Sequence, residues 1–458
     1  MISIPENVKE ILRHLNESDK QAYVVGGAVR DILCDKKPHD WDITTNASPQ
    51  EVMRLFSGYN CFPSGIEYGT VTVYIGNEGY EITTFRKDGS YSDGRHPDSV
   101  SYAKSIETDL SRRDFTINAM AMDIDGNIID PFGGQKDLKE GIIRCVGDPK
   151  DRFREDALRM MRAIRFAAVN DFVVDEHILK EIYENRKNIN LPSGERIRKE
   201  FEKILTSKHP GYGIMLLQST ELLKEICPEL DKCFGCEQNN KYHYEDVGNH
   251  CVSVMCGVSD SFPLRMAALL HDVGKPVVMT PKNDGFGEYR FAGHGKVSAE
   301  IADRFCRKLR IDNRMREYIV SLVKHHDTVY LEDADIRRFA AEHDTAFLYE
   351  LHDLQVADSK AHQGEFVAEF VAEKEIFYMK MMSFIEDNTA ITKAQMNING
   401  NDLKDLGLEG KDIGDCMEYL YTECLKCPEI NRRDELMALA DNFIDEINKE
   451  ASWGEEMA

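Results

Sequence analysis

No stretch of this 458-residue chain approaches the roughly 20 consecutive apolar residues that a membrane-spanning helix needs. No membrane partner is therefore expected. The opening, "MISIPENVKEILRHLNES", is amphipathic and carries acids, not a basic stretch followed by an apolar core, so no signal peptide is expected. The twelve cysteines are scattered without a compact framework, which fits reduced thiols in the cytoplasm. Internal repeats and low-complexity segments are also missing. Positive charge is scarce overall: 57 Lys and Arg face 81 Asp and Glu, a net charge of −24. That balance argues at first sight against nucleic acid, but binding needs only a local basic face. Residues 150–208 supply one, with 14 Lys/Arg against 11 Asp/Glu. Much of the acidity lies near the C-terminus, in "DLKDLGLEGKDIGDCMEYLYTE" and "EEMA".

What is present is an ordinary globular composition, 42% hydrophobic and 30% charged, long enough for roughly two to four domains with ample core. Up to about residue 147 the pattern alternates. A helical start (5–18) leads to the apolar strand "AYVVGG", the helix "AVRDIL" and a strand over 40–45. Ser48 and Glu51 have capping-box spacing for the helix "PQEVMRLF". "TVTVYI" and "YEITTF" read as paired strands around Gly76, Asn77 and Gly79. The polar, Gly-rich stretch 87–98 reads as a mobile loop. From 150 the strand signals mostly stop. "DRFREDALRMMRAIRFAA" places Phe153, Ala157, Met160, Ile164 and Ala167 at helical spacing, and helical patterns continue to the end, with loops near 235–247 and 280–295.

"KPHDWDITT" puts Asp40 and Asp42 on one face of a strand, because strand side chains alternate. Two such acids hold a divalent cation well, and Mg²⁺ is usually shared between carboxylates and substrate phosphates. Such ions activate an attacking hydroxyl and stabilise a leaving pyrophosphate. An exposed acid pair on an edge strand looks the same in isolation; the surroundings separate the two readings. In "VVGGAVRD", Gly26 and Gly27 allow close backbone approach, the next helix offers amides to a phosphate, and Arg30 adds charge. Glu81 offers a third carboxylate from a neighbouring strand. "DLSRRDFTINAMA" brings Arg112, Arg113, Asp114 and Asn118, and paired arginines suit a triphosphate.

Gly-Gly-x-Val-Arg-Asp, Asp-x-Asp, Arg-Arg-Asp-Phe-Thr-Ile-Asn-Ala, "DPFGGQKDL" and "REDALRMMRAIRFAA" follow one another between about residues 23 and 168. This ordered set resembles the class II tRNA nucleotidyltransferases, the CCA-adding enzymes and their bacterial poly(A) polymerase relatives. "INGNDLKDLGLEGKDIGDCMEYLY…EINRRDELMALA" is similar to the family's body and tail. The resemblance implies an α/β nucleotidyltransferase head with a polymerase-beta-like mixed sheet, followed by an all-α neck, body and tail. It implies metal binding by Asp40 and Asp42, with Glu81 as the third catalytic carboxylate and Mg²⁺ as the head cofactor. The partners implied are the tRNA 3′ end, CTP and ATP.

Asp156 and Arg159 lie three apart, so on a helix they would share a face. Cytosine and adenine each present an exocyclic amine beside a ring-nitrogen acceptor; uracil and guanine present a carbonyl beside a ring N–H. A carboxylate accepting from the amine and a guanidinium donating to the ring nitrogen would select C and A. In isolation the same pair reads as a surface salt bridge. The family motif carries over to Glu155, Asp156 and Arg159, with Arg162 and Arg165 as supporting charges. The resemblance also gives Arg95, in the loop, a part in the switch from CTP to ATP.

"GNHCVSVM", "ALLHDVGKP", "AGHGKVSAE", "LVKHHD" and "LQVADSKAH" form a second constellation: His250, His271, Asp272, His294, His325 or His326, and Asp358. Imidazoles with aspartates suit Mn, Fe, Ni, Co or Zn better than Mg, and water on such ions hydrolyses phosphoesters. The set resembles an HD domain of the metal-dependent phosphohydrolase superfamily. The expected metal ligands are His250, His271, Asp272, His294, His325 and Asp358, with Lys275 contacting phosphate or facing solvent. Cys233/Cys236 and Cys424/Cys427 are Cys-x-x-Cys pairs that lack the further ligands of a zinc site.

The expected organisation is a head over 1–147, a nucleotide-selecting and tRNA-binding neck over 148–208, a body over 209–245, an HD domain over 246–362 and a helical body and tail over 363–458. The expected activity is template-free addition of C, C and A to tRNA. Poly(A) polymerase, a CC-only or A-only enzyme, a silent RNA-binding protein and an HD hydrolase with a nucleotide-sensing head are the alternatives. The oligomeric state is left open.

Overall fold

The computed structural model describes residues 4–89, 99–239, 242–282 and 288–456. The chain divides into two compact units. The first is Met1–Phe234 with Asp260–Phe262 and Arg304–Asn313; the second is Gly235–Ser259, Pro263–Asp303 and Arg314–Ala458.

The first unit opens with α1 (Glu6–Asn16), whose Val8, Ile11, Leu12 and Leu15 recur at helical spacing and are all buried. Then come β1 (Ala22–Val25), α2 (Gly27–Leu33), β2 (Asp42–Thr45), α3 (Pro49–Leu55), β3 (Asn60–Gly65), β4 (Thr70–Ile75), β5 (Glu78–Thr84), β6 (Arg86–Asp88) and β7 (Val100–Tyr102). They are followed by α4 (Ile106–Ser111), β8 (Ala121–Met122), β9 (Ile128–Ile129), α5 (Gly134–Glu140) and β10 (Ile142–Ile143). Seven strands form one mixed sheet in the order β3-β4-β5-β2-β1-β8-β9. Its one parallel pair is β2 with β5; such a pair needs a crossover, which α3, β3 and β4 supply. Strand alternation covers both faces: Val24 packs in a core with Leu12, Val52 and Phe56, whereas Val25 packs with Ile106 and Leu110. The capping box forms as expected, with Ser48 Oγ accepting from the Glu51 amide and Glu51 Oε2 accepting from the Ser48 amide at 2.8 Å.

Some elements differ from the sequence expectation. Strand β2 begins at Asp42, so Asp40 and Trp41 precede the ladder. The segment 151–168 is not one helix but two, α6 (Pro149–Glu155) and α7 (Leu158–Asn170). Asp156 separates them in an extended conformation (φ −148°), and its carboxylate accepts from the Leu158 amide at 3.0 Å. The first unit continues with β11 (Val173–Val174), α8 (Glu176–Asn185), α9 (Gly194–Leu205), α10 (Pro210–Ser219), α11 (Leu222–Ile226) and α12 (Pro228–Asp231). Gly213 of α10 packs against Ile204 of α9 and Ala168 of α7.

The second unit is largely helical: α13 (Val247–Gly257), α14 (Phe262–Leu270), α15 (Lys275–Val278), the hairpin β12 (Thr280–Pro281) and β13 (Tyr289–Arg290), α16 (His294–Lys308), α17 (Asn313–His325), α18 (Asp333–Glu342), α19 (Thr345–Lys360) and α20 (Gly364–Glu386). Its last helices, α21 (Gly400–Asp405), α22 (Lys411–Lys426) and α23 (Arg433–Glu456), share a core around Leu403, Cys416, Leu420 and Leu436. Among the described residues no helix is long and apolar enough to cross a membrane.

Candidate active site and candidate metal centre

The parallel register of β2 and β5 pairs Ile43 with Ile82 and Thr44 with Thr83. One step earlier, Asp42 at the start of β2 lies beside Glu81 in the middle of β5, and both are exposed. With Asp40 they line an open cleft of about 1110 Å³ that also takes in Lys37, His39 and Glu78. Desolvation by the cleft wall pushes the Asp42 carboxyl up; Arg113 opposes this and Asp40 adds to it. Burial, then the charges of Asp42 and Asp40, push Glu81 up as well. Three carboxylates thus crowd one place with negative charge in excess, an arrangement that fits a divalent cation.

Gly26 closes the other side. Its φ is +72°, and a Cβ there would lie 3.0 Å from Arg113 Nη1 and 3.9 Å from Asp42 Oδ2. The left-handed backbone there favours glycine, and a Cβ would crowd Arg113 where it approaches Asp42. Arg112 and Arg113 both pair with Asp109, at 2.9 and 3.3 Å, and Asp109 is fully buried. Arg30, one turn into α2 from Gly27, pairs with Asp31 at 2.7 Å and donates to Asn118 at 2.7 Å. Asn118 donates to Asp114 at 3.3 Å, and Arg162 donates to Asp114 at 2.6 Å. Burial acts to raise the Asp114 carboxyl, but Arg162 and Arg159 outweigh it and hold the group well below its usual range. Arg165 continues the network to Glu200 at 2.6 Å, with Arg162 at 3.8 Å from the same carboxylate. Asp109 and Glu200 were not legible as network members; both look like ordinary helix acids in the sequence.

The expected shared helix face of Asp156 and Arg159 does not exist, because the helix breaks at Asp156. Asp156 instead pairs with Arg196 of α9 at 2.7 Å, and Arg159 pairs with Glu155. The two side chains still sit at one joint, since the Arg159 amide donates to the Asp156 carbonyl at 3.0 Å. Arg196 carried no local signal; it is 40 residues from its partner. Arg95 lies outside the described residues.

In the second unit Asp272 is the centre. Its Oδ2 lies 3.2 Å from His271 Nε2 and 3.7 Å from His250 Nε2; its Oδ1 lies 3.1 Å from His294 Nε2 and 3.7 Å from His326 Nε2. Asp358 meets His250 at 2.9 Å and His271 at 3.7 Å. The histidine of the pair that enters is His326, not His325 as expected. His325 turns away to pack on Phe339 and His343, with ring centroids 5.1 and 5.6 Å apart. His271, His294 and His326 each place Nδ1 within 3.0 Å of the carbonyl three residues earlier, which aims every Nε2 inward. Lys275 is buried and pairs with Asp272 at 2.6 Å and Gln238 at 2.9 Å, so it neither faces solvent nor stands free for phosphate. His271 Nε2 and Asp272 Oδ1 are buried without a hydrogen-bond partner. Orphaned lone pairs amid imidazoles and carboxylates fit a transition-metal ion. Among the described residues the two groupings able to hold one are His250, His271 and Asp272, and Asp272, His294 and His326.

A family model described as "Poly A polymerase head domain" matches residues 22–144, one described as "Probable RNA and SrmB- binding site of polymerase A" matches 171–234, and one described as "HD domain" matches 217–362. The chain is 47% identical over 216 residues to the CCA-adding enzyme of Lactobacillus helveticus, a match covering 47% of this chain and 54% of that one. It is 44% identical over 238 residues to the CCA-adding enzyme of Pediococcus pentosaceus, covering 52% and 59%. The chain spans about half the length of these curated relatives. The crystal structure of the Bacillus stearothermophilus CCA-adding enzyme in complex with CTP matches with a TM-score of 0.68 at 26% identity, over 97% of this chain and 98% of that one. The Thermotoga maritima CCA-adding enzyme complexed with tRNA shares the fold at a TM-score of 0.55 and 22% identity, over 95% of each chain. The matches to a polymerase head, an RNA-binding segment and an HD domain follow one another in this order along the chain, which is similar to CCA-adding enzymes over about half of their length.

Proposed function

We propose that this chain adds C, C and A to the 3′ end of tRNA, taking CTP and then ATP without a nucleic-acid template. The observation that carries the reading is the register that sets Asp42 beside Glu81, with Asp40 in the same cleft and Arg113 at the edge. The tRNA 3′ hydroxyl attacks the α-phosphate of the nucleotide, and pyrophosphate leaves. Asp40 and Asp42 would hold Mg²⁺, with Glu81 as the third carboxylate; bound there, the ion would supply Lewis acidity to the attacking hydroxyl and the leaving pyrophosphate. Arg112 and Arg113 receive triphosphate oxygens, exchanging their present partner Asp109 for phosphate.

Base choice falls to the joint at Asp156. The carboxylate accepts from the exocyclic amine of C or A, and Arg159 donates to the ring nitrogen. The base competes with Arg196 and Glu155 for these groups. U or G leaves the pair mismatched, at about 1–3 kcal/mol per bidentate contact. The test supplies tRNA lacking its CCA end, Mg²⁺ and each labelled nucleotide singly and in pairs, followed by sequencing of the ends. Ordered addition of C, C and A that Asp42→Ala abolishes supports the reading; runs of A, or C addition that stops before A, sink it.

A second activity is favoured by the convergence on Asp272. His250, His271, Asp272, His294, His326 and Asp358 are the groups that would hold Mn, Fe, Ni, Co or Zn there, and such an ion would supply the chemistry of phosphoester hydrolysis. Hydrolysis of p-nitrophenyl phosphate or a cyclic phosphodiester that Asp42→Ala leaves intact and Asp272→Ala removes would establish it. Lack of turnover with every one of these metals would leave the centre a scaffold.

A further inference from the structure

Three guanidinium groups converge on one buried ring. The carbon of Arg165 lies 3.9 Å from the centroid of Phe166, that of Arg30 5.1 Å and that of Arg162 5.5 Å. Phe166 is 5% exposed and sits on α7, and Phe115 meets its ring in a T-shaped contact at 5.6 Å. The acceptors around it form a continuous path: the Asp31 carboxylate and the Asn118 amide oxygen on Arg30, Asp114 on Arg162, Glu200 on Arg162 and Arg165. One end of that path is α2, which begins at Gly27 beside the carboxylate cleft. The other is α7, the helix that starts two residues after Asp156.

Three like charges at this spacing repel one another. Buried acids offset the net charge but pull each guanidinium along its own bond. The negative face of an aromatic ring attracts all of them at once. A leucine would fill much the same volume and offer no such face. Arg30 belongs to the glycine-rich phosphate side and Arg162 and Arg165 to the base-selecting helix, so the ring ties the two halves of nucleotide recognition together.

We propose that Phe166 is a positioning residue for nucleotide selection: its π face fixes Arg30, Arg162 and Arg165 as a set, and through them the angle at which α7 presents Arg159 and Asp156 to the base. The inference rests on the nucleotide-adding reading above.

The test compares Phe166→Leu and Phe166→Met, which lack the ring, with Phe166→Tyr, which keeps it. Each full-length variant is assayed for single-nucleotide addition with CTP, ATP, UTP and GTP, and its unfolding midpoint is measured. The ratio of kcat/KM for CTP over UTP is expected to fall roughly tenfold in both ringless variants, mainly through a higher KM for CTP. Phe166→Tyr should restore the ratio. A role confined to packing would lower the midpoint and leave the ratio unchanged in whichever ringless variant folds, and that result overturns the proposal. Equal loss in Phe166→Tyr and Phe166→Leu also overturns it. Wild-type protein that adds no nucleotide at all defeats the underlying reading instead, which keeps the two failures apart.

Discussion

Successive residues on a helix point about 100° apart, so of two adjacent histidines at a helix end only one enters a given centre. His325 closes α17 and faces Phe339; His326 follows it and faces Asp272. His326→Ala should therefore weaken transition-metal binding by more than the roughly 10–100-fold that loss of an outer partner costs. His325→Ala should leave the affinity near wild type. Isothermal titration with Mn²⁺ or Ni²⁺ checks both; equal losses would contradict the assignment. "HHD" alone left the choice open, because both histidines satisfy the same spacing. The Asp-x-Asp pair and the double glycine were legible because backbone geometry acts locally on them. Arg196, Glu200 and Asp109 were not, since each gains its meaning from a partner brought close only by the fold.

At the scale of elements, capping gave a reading that the chain carries through. Glu51 bonds Lys20 at 2.8 Å and the Ser48 amide and hydroxyl, and these contacts, Lys20 first, hold its carboxyl down to about 2. The folded pKa lies below the unfolded one, near 4.5, so the stabilisation is complete above about pH 4.5 and is lost as pH falls toward about 2. Glu51→Gln should be less stable than wild type at neutral pH, with the difference shrinking through that window. Urea unfolding at a series of pH values measures it. Helix packing gives a second expectation. A Cβ on Gly213 would meet Ile204 Cγ2 at 2.5 Å and Ala168 Cβ at 3.1 Å, and Ile204 is fully buried. Gly213→Ala should cost about 1–3 kcal/mol, as overpacking does, read from the denaturation midpoint. The break between α6 and α7 had no such warning. No Pro or Gly marks it, and Phe153, Ala157 and Met160 keep helical spacing across it and are all buried. The strand β3 was also missed, because most of its residues are exposed and no apolar alternation announces it.

At the scale of the whole molecule, the two units carry separate cores and separate candidate chemistries. A metal that binds only the folded second unit stabilises that unit by mass action, by about 2.7 kcal/mol at a hundredfold excess over its Kd. Hydrogen exchange should slow around His250, His271 and Asp272 when Mn²⁺ is added, and chelation should reverse it. His326→Ala should remove the gain while the strands around Val24 and Ile43 exchange as before. The overall order of an α/β head and a helical remainder was plain from the change of period near residue 150, since periodicity is set by the backbone and survives any choice of partners.

The joint at Asp156 turns α7 into a lever. At 1.5 Å per residue the helix puts Phe166 about 12 Å from Leu158. A tilt of about 5° over that length moves the far end by roughly 1 Å, the scale at which misplacement costs a reaction about a hundredfold. An unbroken helix would spread the same disturbance along its length. A pivot concentrates it, so on the proposed reading fidelity at the pivot rests on a clamp eight residues along the arm.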